Sequence, residues 1–143
     1  MKIPLTVIPV DGNGYHIMAK GSINGLTANI LIDTGATRTV LDLSRKVHFF
    51  QNAPLINNDK IFTGVGTEKI ETQALLIPLL SFGTYFVNNL EVVVISLEGV
   101  NKTYAMFDLP RIDMVMGGDI LHNCGCIIDY LNAELTFSRE FNS

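Results

Sequence analysis

The chain has 143 residues and a formal net charge of −4; 48% of its residues are hydrophobic and only 17% charged. Its length suits one domain, residues 1–143, whose core needs neither metal nor disulfide to be stable. Lys and Arg are scattered with no basic cluster interleaved with aromatics, so nucleic acid is excluded as an expected partner. The charged fraction lies below the ~25% usual for soluble domains, which suits a compact β protein, a large subunit interface, or both.

Residues 3–9 read as a strand, and Pro4 and Pro9 put it at an edge or terminus. The start, with two prolines and no small-residue cleavage site, makes a poor signal peptide; unless a removed leader preceded it, the expected location is the cytoplasm. Asp11-Gly12-Asn13-Gly14 is a turn. Residues 15–23 alternate roughly, and residues 26–32 become apolar throughout toward their end. Between them Asn24-Gly25 tolerates positive φ at both positions, the signature of a type I′ hairpin. That hairpin delivers Asp33 at the exit of its second strand. A carboxylate at the end of a core strand is costly to bury alone.

A short helix is expected after Leu41, capped by Asp42, with Leu43, Val47 and Phe50 on one face. Residues 60–79 suggest a hairpin with its tip at 63–67, where Gly64 and Gly66 flank Val65. The longest uncharged run, Thr72 to Leu90, is broken by Pro78, Gly83, Asn88 and Asn89, so it reads as strands and turns and not as a membrane span. Strand character continues through residues 84–97. Residues 98–102 read as a turn or loop, and 103–113 show no clear period. Met114-Val115-Met116 is an apolar strand ending in Gly117-Gly118, followed by a helical turn that Asp119 can cap. Residues 125–130 and 134–137 make a last hairpin, with Asp129 at a strand end.

Cys124 and Cys126 are too close for a zinc half-site and read as small core residues. His16, His48 and His122 are isolated, so triad chemistry has no support. Residues 64–69 lack the spacing of a phosphate-binding loop. No metal and no cofactor is expected.

Two segments echo each other. Residues 30–44 and 113–124 each run from an apolar strand through glycine into an apolar stretch that leads to a helix. With these residues in view, Asp33-Thr34-Gly35-Ala36 after an apolar run resembles the catalytic motif of aspartic proteases. Val115-Met116-Gly117 resembles the apolar-apolar-glycine element that cradles that motif. The asparagine-glycine hairpin before it and the glycine-bearing hairpin after it match as well. The resemblance covers residues 15–138 or so and is closest to single-domain retropepsin-like proteins, especially cellular and bacterial members.

The resemblance implies an all-β, retropepsin-like (acid protease) closed or partly open barrel with one or two short helices. It implies an aspartic endopeptidase acting on a peptide or protein substrate. Asp33 would be the catalytic acid/base. Thr34 would hydrogen-bond across a two-fold axis, Gly35 would donate its N–H to the carboxylate, and Ala36 would keep the packing close. Gly64, Val65 and Gly66 would form a flap over substrate, and Val115, Met116 and Gly117 would support the loop. Only one Asp-Thr-Gly is present, and Met116 stands where a second acid would be. A homodimer pairing Asp33 with its twin is therefore implied. Retroviral members carry acids after the motif and an arginine after the later glycine; here Thr37, Arg38 and Gly118 occupy those places. That departure puts the retroviral mode of terminal-strand dimerisation in doubt. Extra residues fall near 97–112. Two rivals stay open: a catalytically inactive peptide-binding or scaffold module of the same fold, and a small-ligand-binding β-barrel.

Overall fold

The structure is a computed structural model that describes residues 1–63 and 69–142, with 57–63 and 69–72 traced by their backbone. The strands are β1 (Lys2–Pro4), β2 (Thr6–Val10), β3 (Gly14–Ile23), β4 (Leu26–Ile32), β5 (Val40–Asp42), β6 (Ile56–Thr63), β7 (Lys69–Phe82), β8 (Tyr85–Ile95), β9 (Met114–Met116), β10 (Ile127–Asp129) and β11 (Glu134–Thr136). The helices are α1 (Lys46–Phe50), preceded by a 3-10 turn at Leu43–Arg45, α2 (Glu98–Met106) and α3 (Gly118–Asn123). No helix among the described residues is long and apolar enough to cross a membrane.

The large sheet runs β2-β3-β4-β9-β5-β8-β7-β6, and β3 also pairs with β7. That last pairing, Ser22 with Ser81 and Ile23 with Leu80, closes a barrel of six strands, β3, β4, β9, β5, β8 and β7. The fold is the expected mostly-β barrel. Its first hairpin turns at Asn24 and Gly25 with φ of 49° and 83°, as a type I′ turn requires. The barrel is filled by side chains of alternating positions, among them Ile23, Ile30, Leu41, Ile77, Leu80, Phe82 and Met116.

Pro78 and Asn88-Asn89 do not end their strands. β7 and β8 run through them with one continuous register, Ile77 opposite Leu90 and Leu79 opposite Asn88. What changes there is the facing. Leu75 and Ile77 are buried before Pro78, Leu80 and Phe82 after it; on β8, Tyr85 and Val87 give way to Leu90, Val92 and Val94. Asn89, at φ 53°, sits opposite Pro78, so both strands rotate by one residue together and pairing survives. Only Gly83, of the expected breakers, marks a chain reversal.

Three other expectations are corrected. The strand expected at 3–9 divides at Leu5, and its halves join different sheets. The helical face of Leu43 and Val47 is solvent-exposed; Phe49 is the buried residue of α1. Asp42 stands at the N-cap position but makes no cap bond: its carboxylate takes the Leu97 N–H at 3.0 Å and the Ser44 hydroxyl at 2.7 Å. Cys124 packs in the barrel core and Cys126 against it, both as free thiols.

The segment without a readable period contains α2. Leu97, Tyr104 and Ile112 cover a second apolar cluster on the outer face of the barrel, with Ile8, Val10, Met18, Leu31 and Val115. Polar groups hold the segment in place. Asn101 exchanges two hydrogen bonds with Ile112, at 2.7 and 3.0 Å. Buried Asp113 accepts the Asn29 N–H at 2.8 Å and the Arg45 Nε–H at 2.7 Å. Helix propensity in so short a stretch is marginal without such tertiary support, which is why the sequence alone reads as a loop.

Candidate active site

β4 brings Asp33 to the surface. Leu31 and Ile32 before it are buried, and Asp33, Thr34 and Gly35 are exposed. The expected desolvation cost therefore does not arise within one chain. The carboxylate is held locally: Gly35 N–H donates to Asp33 Oδ1 at 2.9 Å, and Ala36 N–H donates to the Asp33 carbonyl at 3.2 Å. Within the described residues the Thr34 hydroxyl has no partner.

The loop is locked by β9, which lies between β4 and β5. β9 runs parallel to β4, with Ile32 beside Met116, and antiparallel to β5, with Val40 beside Val115. Leaving β4, the chain passes around the end of β9 and returns as β5 on its far side. Asp33 N–H donates to the Met116 carbonyl at 3.0 Å, and Gly118 N–H donates to the Ala36 carbonyl at 2.8 Å. Val115, Met116 and Gly117 are thus brought directly against the loop of residues 33–39. Gly117 has no room for a side chain: a Cβ there would lie 2.7 Å from the Ala36 carbonyl oxygen and 2.9 Å from the Arg38 carbonyl group. Both obstacles are backbone. Gly117→Ala should therefore lower the unfolding free energy by about 3 kcal/mol, the upper range for overpacking, measured by chemical denaturation.

A buried polar knot joins the two arms. Thr39 is fully buried; its N–H lies 3.0 Å from both carboxylate oxygens of Asp119, and its hydroxyl donates to Asp119 Oδ1 at 2.7 Å. Gly117 N–H in turn donates to Thr39 Oγ1 at 3.1 Å. Arg38 Nε lies 3.7 Å from Asp119 Oδ2. So an ion pair does bridge the two arms, with its signs exchanged relative to the retroviral pattern and its acid at 119. Asp119 is not the cap of α3 either. Gly117 holds the N-cap position, and Asp119 in the first turn accepts the Ile120 N–H at 2.9 Å. The joining of Thr39 to Asp119 has no sequence signal beyond their places in the two echoing segments.

Beside Asp33 lies a cavity of about 450 Å³, bounded by Tyr15, His16, Leu31, Val100, Ile128 and Tyr130 among others. His16 is not an isolated residue: its Nδ1 lies 2.6 Å from the Tyr104 hydroxyl, and the rings stack with centroids 5.7 Å apart. No sequence signal marks Tyr104, which falls in the segment with no clear period. The expected flap residues Gly64, Val65 and Gly66 lie outside the described residues; the strands on either side pair antiparallel, Thr63 opposite Lys69.

Comparison with known proteins bears on this arrangement. A family model described as aspartyl protease matches residues 19–120, which span β4, the Asp33 loop, β9 and the start of α3. The chain belongs to the aspartyl protease family. No curated protein matches the chain. Among solved structures, the EIAV protease complexed with the inhibitor HBY-793 is similar at a TM-score of 0.54 and 19% identity, covering 82% of this chain and 95% of that one. The retroviral protease-like domain of Ddi1 from Leishmania major gives 0.58 and 15%, covering 84% and 86%. A retropepsin-like aspartic protease from Rickettsia conorii gives 0.54 and 16%, covering 94% and 91%. The retropepsin-like fold is shared at these low identities. Within that fold, Asp33 stands on a loop interlocked with β9, beside an open cavity.

Proposed function

We propose that the chain is an aspartic endopeptidase whose active site forms at a two-fold axis from Asp33 and the Asp33 of a second copy. The observation that carries this reading is the exposed Asp33 carboxylate, fixed by the Gly35 N–H on a loop interlocked with β9. Peptide hydrolysis without a protein nucleophile needs a base to activate water and an acid to protonate the leaving nitrogen. Two carboxylates sharing one proton supply both, because close like charges do not ionise together. One chain carries one such loop; at the echo, Met116 provides a carbonyl and no carboxylate.

Three features support assembly by a second copy. The Thr34 hydroxyl, without a partner among the described residues, is available to bond across an axis. The first strand, β1, pairs with the chain's own β11, in a sheet ordered β1-β11-β10. Among the described residues that leaves β1 and β10 as the edges of this sheet, with the first strand paired inside its own chain. Finally, Ile127, Tyr130 and Leu131 on this hairpin are 58%, 59% and 91% exposed, and Tyr130 borders the cavity beside Asp33. Large apolar side chains grouped at one edge suit an interface. A peptide would lie extended in the cleft, with alternate side chains in alternate pockets.

The test is cleavage of a mixed peptide library with and without a peptide mimic carrying a hydroxyl in place of the scissile bond. Cleavage blocked by the mimic, with activity per chain rising as the protein concentration passes through the dimer range, is the expected result. Tight binding of the mimic with no cleavage at any concentration would favour a peptide-binding module instead.

A further inference from the structure

The cavity beside Asp33 lies where the two apolar clusters meet. Ile17 and Ile32 belong to the barrel core, on which Ile128 packs, whereas Leu31 belongs to the cluster under α2, on which Val100 packs. Successive residues of a strand face opposite ways; Leu31 turns toward α2, Ile32 toward the barrel, and Asp33 follows at the rim. One wall of the cavity is therefore built by the barrel and the other by α2.

α2 contributes more than bulk. Tyr104 is 1% exposed, and among the described residues the only hydrogen-bond partner of its hydroxyl is His16 Nδ1. Burial pushes the Tyr104 phenol above its ordinary pKa, so it stays protonated and has a proton to give. A buried O–H without an acceptor is costly; in the tautomer whose Nδ1 accepts it, the ring proton of His16 lies on Nε2. Among the described residues Nε2 has no partner, and His16 lines the cavity. That tautomer places one donor at the edge of a hollow whose other walls include Leu31, Ile32 and Val100.

We propose that α2 is the specificity-determining wall of this site: Val100 sets the depth of the pocket, and Tyr104, acting through His16, positions a donor for a carbonyl oxygen of an extended peptide. The proposal rests on the endopeptidase reading above and names the residues of this chain that select its substrate. Val100 bounds the pocket for a side chain next to the scissile bond, and His16 Nε2–H binds the adjoining peptide. Val100 and His16 touch substrate; Tyr104 is a positioning residue. The half-buried place of Val100 allows its size to be changed without opening the core.

The experiment compares the wild-type protein with Val100→Phe and Tyr104→Phe. It uses a peptide library varied on both sides of the cleaved bond, calorimetry with the hydroxyl-bearing mimic, and nitrogen NMR of the His16 ring. Val100→Phe should shift kcat/KM toward smaller residues at one position by roughly 10-fold, as for small steric changes in an apolar pocket. Tyr104→Phe should raise KM by roughly 3- to 10-fold, the share of one hydrogen bond, with little change in kcat. It should also turn His16 from a single Nε2–H tautomer into a mixture. Unchanged preferences in both variants of a cleaving enzyme would overturn the proposal, as would a His16 tautomer indifferent to Tyr104→Phe. If the wild-type protein binds the mimic and cleaves nothing, the endopeptidase reading falls alone; the calorimetric effect of Val100→Phe and the His16 tautomer then still decide the role of α2.

Discussion

Replacing Asp33 by Asn is expected to lower kcat by a factor on the order of 1,000 or more, within the range ascribed to general acid–base groups, and to leave the fold intact. The side chains are nearly isosteric. The carbonyl oxygen of the new amide can keep the Gly35 N–H bond that Asp33 Oδ1 accepts at 2.9 Å. Because Asp33 is exposed in one chain, no internal partner is orphaned. What disappears is the capacity to share a proton with a second carboxylate. Thermal melting and sedimentation should therefore match wild type while turnover collapses. Mixing supplies a sharper form of the same prediction. If each site needs two Asp33 side chains, activity at constant total protein should fall with the square of the wild-type fraction as Asp33→Asn protein replaces wild type. A linear fall would mean that one chain holds a complete site.

The second large effect is expected at the hairpin of β10 and β11. Leu131→Asp should weaken the proposed dimer about 100-fold or more, the equivalent of roughly 3 kcal/mol for an uncompensated charge in an interface. Activity at low concentration should fall in parallel. Leu131 is 91% exposed in the single chain, so it contributes almost nothing to the core, and the monomer should melt as before. Raising the concentration of Leu131→Asp protein should restore part of the activity, which a folding defect would not allow. A dimer of unchanged strength would move the interface away from this hairpin, and a fully active monomer would remove the need for one.

Much of this molecule was legible as a sequence because it is locally encoded. Asn24-Gly25 dictates its turn through backbone φ alone, so the hairpin leading to Asp33 needed no tertiary information. The apolar run ending at Ile32 and the glycine pair after Met116 likewise announce two strands meeting at a loop. Their pairing through Asp33 N–H and the Met116 carbonyl fits the cradling that the family resemblance implied. Elsewhere local signals misled. Pro78 and Asn88-Asn89 looked like strand breaks, but they face each other across a ladder, and their joint rotation costs the sheet no register. Asp42 and Asp119 looked like helix caps, but their acceptors serve N–H groups far along the chain, at Leu97 and Thr39.

The Asp33 loop, the strand that presents it and the glycine that lets β9 approach were all written into short stretches of chain, because turn geometry and steric room are properties of a few adjacent residues. Folding alone decided that α2 exists, that Tyr104 meets His16, and that Arg38 and Thr39 find Asp119. Tyr104 lies 88 positions from His16, and Asp119 lies 80 from Thr39. No local period records such contacts; they arise only once closing the barrel has brought its ends together and the cost of ordering the intervening chain has been met.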